Sequence, residues 1–327
     1  MTAMNCSPRS PLVFALCAAF GLGATVSCYT VNFDEDQPDV FYCVSADDCG
    51  ASQACWEFRC VDDSGPVAEV TAPEKLQNVA NGTTELTVSY NFENFEVSDA
   101  NTVVEGQGRV HVSIAGTDIA MVSQQSSGAV LDISSLRPGA HRVRIQALYG
   151  DGTPYTNPSA TLHQVFYLED ENTERPQAAI VFPYPGYKHI VGEPLEVIVA
   201  ARGFDFVETG EDCRVDPGCD PWGADADTCL PACTVNPSGH PHIYLLDDYP
   251  GCLTNQITCN GDYIQSLRPT TGVTTSGTTV SAMIPADRFD EVGEFTFSTG
   301  LQYNDHEPYP NVDFIVFDQI TISVGER

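Results

Sequence analysis

The chain has 327 residues, enough for two or three domains of roughly 100 to 200 residues each, and its 45 Asp and Glu against 14 Lys and Arg give a formal charge of −31. That charge excludes an electrostatic nucleic-acid binder, which must neutralise phosphates with Lys and Arg, and a polybasic membrane-surface mode. An apolar fraction of 42% is enough for packed cores and excludes disorder as the state of the whole chain. In chain order, residues 12–26 come first: apolar or small, uncharged, behind a segment whose only base is Arg9. This stretch is shorter than the roughly 20 residues of a membrane-spanning helix and has the proportions of a secretory leader, expected over residues 1–27.

The leader ends in Ala24-Thr25-Val26-Ser27-Cys28. This resembles a bacterial lipobox, in which small residues precede a cysteine that becomes the lipidated N-terminus, although Thr25 stands where such motifs usually have Leu. The resemblance implies Cys28 as the lipidation site and the membrane as a partner through its acyl chains, which contribute about 0.8 kcal/mol per buried methylene. Tyr29, in place of Asp, implies an outer-membrane or cell-surface location. Cysteine parity agrees with this. Of 13 cysteines, Cys6 and Cys17 fall in the leader; setting Cys28 aside leaves four at 43–60 and six at 213–259, both even, as an oxidising compartment favours.

Residues 28–42 carry four acids without periodicity and read as a solvated tether. Cys43, Cys49, Cys55 and Cys60 follow within residues 43–60, a unit too small to bury a core and in need of disulfides. The pattern C-x-S-x-x-D-C-x5-C-x4-C, with Ser45 and Asp48 in place, resembles the short cysteine-rich modules of myxobacterial secreted and surface proteins. That resemblance implies no activity. Zinc is the alternative for four cysteines, but the first pair lacks the usual two-to-four-residue ligand spacing.

The remainder reads as one unit used twice. Pro66 and Pro73 match Pro176 and Pro183; Leu86, Val88, Tyr90, Phe95 and Val97 match Leu195, Val197, Val199, Phe204 and Phe206; Gly108 matches Gly239, and Gly139, Tyr149, Tyr155 and Asn157 match Gly293, Tyr303, Tyr309 and Asn311. Apolar residues alternate within each copy, as in Leu86-Thr-Val-Ser-Tyr90, Val110-His-Val-Ser-Ile114 and Val143-Arg-Ile145, with Gly, Pro and Asn between the runs. Period-two alternation predicts antiparallel strands with one buried face. The fold class expected is all-β: tandem immunoglobulin-like antiparallel sandwiches over residues 66–168 and 176–324, joined by a linker at 169–175 and preceded by the small disulfide-rich module. The stretch Leu136-Arg-Pro-Gly139 and its following strand resemble the L-x-P-G turn of fibronectin type III domains, with His141 where that family usually has Tyr.

The second copy is enlarged by two insertions, about 207–238 and 247–279, which contain Cys213, Cys219, Cys229, Cys233, Cys252 and Cys259. Disulfides would rigidify such loops, and loops held on a rigid scaffold are where binding concentrates. Cys252 with Cys259 is the economical pairing; the other four leave three patterns open.

Two candidate metal sites arise here. His240 and His242 lie two apart on a predicted strand, hence on one face; with Pro241, Ile243 and Leu245 turned inward, the pair is expected to face outward, toward solvent or the inserted loops. With His306 or His189 it could bind copper or zinc. The first insertion with its entry carries Asp205, Glu208, Glu211, Asp212, Asp216, Asp220, Asp225 and Asp227 against Arg214, oxygen ligands of the kind Ca2+ takes, without an EF-hand pattern; a solvated acidic loop is the plainer account. No G-x-S-x-G, H-E-x-x-H or phosphate-cradling glycine loop occurs. The expectation is a non-enzymatic surface lipoprotein that requires no cofactor and binds a protein or glycan through the inserted loops. An extracytoplasmic metal-binding protein is the alternative, and a carbohydrate-active enzyme the third class.

Overall fold

A computed structural model describes residues 43, 49–56, 59–125, 127–171, 176–206, 238–246, 265–266, 274–276, 279–302 and 317–326. Among them the secondary structure is strand, apart from two three-residue 3-10 turns, Pro158–Ala160 and Ala286–Arg288. The alternating runs explain this: a period of two builds a pleated surface with one apolar face and offers a helix no apolar stripe.

The cysteine module is a hairpin of β1 (Gln53–Trp56) and β2 (Arg59–Asp62), with Cys55 opposite Cys60. Disulfides Cys43–Cys55 and Cys49–Cys60 staple it. Among the described residues, the one cluster with metal-ligand geometry is Cys43, Cys49 and Cys60, and these disulfides account for it.

The first sandwich contains β3 (Val67–Ala72), β4 (Gln77–Val79), β5 (Glu85–Glu93), β6 (Glu96–Val97), β7 (Gln107–Ile114), β8 (Ala120–Ser123), β9 (Gly128–Asp132), β10 (Gly139–Leu148) and β11 (Thr161–Leu168). One sheet has the order β3-β5-β9; the other has β4-β11-β10-β7-β6, with β8 on β7. The second sandwich contains β12 (Gln177–Phe182), β13 (Lys188–Ile190), β14 (Leu195–Arg202), β15 (Asp205–Phe206), β16 (Ser238–Leu246), β17 (Gln265–Ser266), β18 (Thr274–Ser276), β19 (Thr279–Ile284), β20 (Gly293–Gln302) and β21 (Phe317–Gly325). Its sheets run β12-β14-β19-β18 and β13-β21-β20-β16-β15, with β17 on β16. Strand for strand this is the same topology, with β18 added. The equivalence reaches single residues. Val97 pairs in parallel with Gly108 as Phe206 does with Gly239, and the first strand of each copy is irregular at Val70/Ala72 and at Ile180/Phe182. Pro73 and Pro183 both follow cis peptide bonds.

Each sandwich has its own core. Leu86, Val88, Tyr90, Val110, Val112, Ile114, Val143 and Ile145 are buried together in the first; Leu195, Val197, Val199, Ile243, Phe297, Ile320 and Ile322 in the second. Each such side chain contributes roughly 1.5–3 kcal/mol when fully buried. Gly108 is required by close packing: a Cβ there would lie 1.8 Å from the Leu148 carbonyl oxygen.

The pieces are locked to one another. Asp63, just beyond the module, accepts hydrogen bonds from the Ser159 hydroxyl (2.6 Å), the Ser159 amide (3.0 Å) and Asn157 Nδ2 (3.1 Å) in the first sandwich. Between the sandwiches, Arg142 of β10 forms a buried ion pair with Asp318 of β21 and donates to the Ile180 carbonyl. The same Asp318 accepts from the Ile180 and Gln319 amides at 2.7 and 2.9 Å. Val165 and Tyr167 of β11 pack beside this pair against Ala179, and Arg202 pairs with Glu169 at 2.8 Å.

Candidate functional site

The outer face of the β7-β10-β11 sheet carries polar residues at the positions between the core residues. Cross-strand register aligns Ser113, Arg144 and His163 in one row and His111, Gln146 and Thr161 in the next. Above this face stands Tyr184. Its turn follows Pro183, is closed by the Tyr187 amide donating to the Tyr184 carbonyl (3.0 Å), and is pinned to β21 by the Gly186 amide donating to the Thr321 carbonyl (2.8 Å). The corresponding turn of the first sandwich closes the same way, Gln77 amide to Glu74 carbonyl, so Tyr184 occupies the place of Glu74.

The His163 ring lies parallel to Tyr184, with centroids 4.2 Å apart and planes within 9°. Trp56, adjacent to the stapled Cys55, also stacks near Tyr184, with ring centroids 6.3 Å apart. Module, first sandwich and second sandwich thus enclose a cleft of about 620 Å3, lined among others by Trp56, His111, Arg144, His163, Tyr184 and Lys188. This volume is within the roughly 300–1,000 Å3 of small-molecule sites.

Arg144 supplies the cleft's half-buried charge, and its Nη2 donates to Gln146 Oε1 at 2.7 Å. Burial, then the Arg144 and Arg142 charges, push His163 down to about 3. Burial and Arg144 also lower His111. Both imidazoles are therefore neutral at neutral pH, and positive charge in the cleft comes from Arg144 and Lys188. The arrangement can hold a group by charge, hydrogen bonds and ring stacking. Among the described residues the buried Nδ1 of His163 has no hydrogen-bond partner.

The histidines singled out in the sequence sit elsewhere. His240 and His242 share a face of β16 opposite Ile243, as alternation requires, but both are buried, at 0% and 1% exposure, which corrects the expectation that they could face solvent. On the same side of the sheet Tyr244, Ser298 and Gln302 are also buried. Their Nε2 atoms lie 3.0 Å apart in a hydrogen bond to each other. His189 is buried in the second sandwich against Phe289, its Nε2 bonded to the Glu193 carbonyl at 2.8 Å, and burial lowers it to about 4. Asp205 opens β15 and is exposed. Cys28, His306, Asp216, Asp220, Asp225, Asp227, Cys213, Cys219, Cys229, Cys233, Cys252 and Cys259 lie outside the described residues.

No family model and no curated protein matches the chain. Among solved structures it is similar to the fibronectin(III)-like modules of Clostridium thermocellum CbhA, at 11% identity over 80% of this chain and 95% of that one, TM-score 0.23. It is also similar to Dpr2 Ig1-Ig2 in complex with DIP-Theta Ig1-Ig3 (11% identity, 80% and 100% covered, TM-score 0.22) and to the BSP domain of a biofilm associated protein (9%, 80% and 29%, TM-score 0.22). The assignment to the immunoglobulin-like and fibronectin type III-like class rests on the strand order above.

Sequence reasoning missed the junction cleft. Its signals were available: Arg142 and Arg144 alternate with core residues on one strand of a base-poor chain, and Tyr184 replaces Glu74 between otherwise matching copies. Alternation places a side chain on the outer face, but only the assembled fold says what that face meets.

Proposed function

We propose that this chain is a non-enzymatic cell-surface protein, anchored through lipid on Cys28, that binds a ligand without transforming it. The observation that carries the reading is the cleft assembled from three pieces and held rigid by the Asp63 bonds and the Arg142–Asp318 pair. Binding sites gain affinity when their parts are fixed in advance, and this one offers charge, amide and ring surface together with neutral histidines. The two insertions of the second sandwich form the second expected contact region, for a protein or glycan. The metal-binding alternative gains no support from the His240 and His242 rings, which bond to each other.

Intact-mass measurement of the mature protein extracted from membranes tests the anchor. A chain beginning at Cys28 and carrying acyl mass is expected. A free Cys28 thiol, or a mature N-terminus elsewhere, overturns it.

A further inference from the structure

Resting on the reading of a non-enzymatic binding protein, we infer that the junction cleft binds an acidic saccharide, with Arg144 and Lys188 receiving its carboxylate and Trp56 packing against a sugar face.

The cleft's charge is opposite to that of the chain. Acidic residues make up 45 of the 327 positions, so twenty positions drawn at random would carry about three; among the twenty described residues lining the cleft there is no Asp or Glu. Among the described residues of a −31 chain, this concave surface carries Arg and Lys and no carboxylate. Lys188 is one of two lysines in the chain, and the other, Lys75, is outside the cleft.

Arg144 also has no carboxylate partner among the described residues. The two nearby arginines at the sandwich junction each hold a carboxylate, Arg142 that of Asp318 and Arg202 that of Glu169. Arg144 is half-buried and bonds only the neutral Gln146 among the described residues. Desolvating a guanidinium without an anion is costly, and a planar fork of donors fits a carboxylate in two-point contact. A bound anion completes this site as Asp318 completes that of Arg142.

A sugar and a peptide differ in what they need from the surface. A peptide that binds by adding a strand needs a sheet edge, where backbone groups are unpaired. This cleft lies on a sheet face whose strands β7, β10 and β11 are already paired with one another. The lining offers polar and aromatic side chains, among them Thr161, Gln146 and the partly buried indole of Trp56. A sugar ring, with apolar C–H faces and hydroxyl edges, matches that mixture.

The test uses the full mature chain with Trp222→Phe, which leaves Trp56 as the only tryptophan, titrated with trigalacturonate while indole emission is followed. Saturable binding is expected, at least tenfold weaker for neutral galactotriose, at least tenfold weaker in Arg144→Gln, and several-fold weaker in Lys188→Gln. If Arg144→Gln does not fold, Lys188→Gln, altered at an exposed position, decides. No saturable binding, binding unchanged in the folded variants, or tighter binding of hexaglutamate than of trigalacturonate overturns the inference. Chromatography of the same mixtures separates the two readings: cleaved sugar would refute the non-enzymatic function and leave the cleft assigned, whereas absence of binding would remove the cleft's ligand and leave the anchored surface protein standing.

Discussion

Arg142 and Asp318, 176 positions apart in sequence, form a buried ion pair that joins the two sandwiches. Their side chains are 6% and 7% exposed, and each also bonds the backbone of Ile180. A pair this deep is held by geometry: Coulomb attraction offsets two desolvation costs only with good geometry and supporting hydrogen bonds, here those to Ile180 and Gln319.

Removing one partner should therefore be severe. Asp318→Ala leaves a buried guanidinium and an unmet Ile180 amide, and is expected to cost about 3–5 kcal/mol. Urea unfolding followed by calorimetry should show the two sandwiches melting separately, where the parent melts as one. In a double-mutant cycle Arg142→Ala should cost little more once Asp318 is gone.

Tyr167 gives the opposite sign. Its hydroxyl is buried beside that ion pair with no hydrogen-bond partner among the described residues, and burial, then Asp318, raise its pKa. Tyr167→Phe removes an unmet polar group and keeps the ring, so stability should be unchanged or higher by up to about 1 kcal/mol. A loss of 2 kcal/mol or more in chemical denaturation would mean that the hydroxyl is bonded after all.

The histidines set a pH dependence. His163 and His189 titrate near 3 and 4 in the folded chain, below the ordinary value of about 6.5, and His111 and His141 are lowered too. The unfolded chain thus binds more protons as pH falls through 6.5, so the stability contributed by the neutral imidazoles is complete above that value and declines below it. Between pH 7.5 and 5.5, above the carboxylate range, stability should fall by on the order of 1 kcal/mol per pH unit near pH 6. His189→Gln should flatten the slope measured by denaturant midpoints at several pH values.

The module should depend on its staples. Each disulfide closes a short loop, with partners 12 and 11 residues apart, and such bonds typically contribute about 2–4 kcal/mol. Replacing Cys43 and Cys55 by Ser should free Trp56 from Tyr184 and shift its emission to the red, with the sandwich cores intact by circular dichroism. An unchanged spectrum would show that Trp56 is held by something other than the staple.

Much of the architecture was legible because it depends on local rules. Alternation marked Leu86, Val88 and Tyr90 as inward, and all three are buried; the matching glycines and prolines marked equivalent turns, and Gly108 and Gly239 occupy equivalent positions in their sheets. Periodicity was less informative about the opposite face. It placed His240 and His242 on the face opposite Ile243, but could not tell that they are buried there. The cleft was hidden for the same reason: Trp56, Arg144, His163 and Tyr184 come from three pieces, and their meeting depends on how the sandwiches join, which involves Arg142 and Asp318, 176 positions apart in sequence.

The most direct test of a preformed binding cleft at the three-piece junction is a crystal structure of the mature chain grown with trigalacturonate. The sugar is expected between Trp56 and Arg144, its carboxylate on the guanidinium, with the Arg142–Asp318 pair intact. A sugar bound elsewhere, or sandwiches splayed apart so that Tyr184 no longer reaches His163, would contradict it.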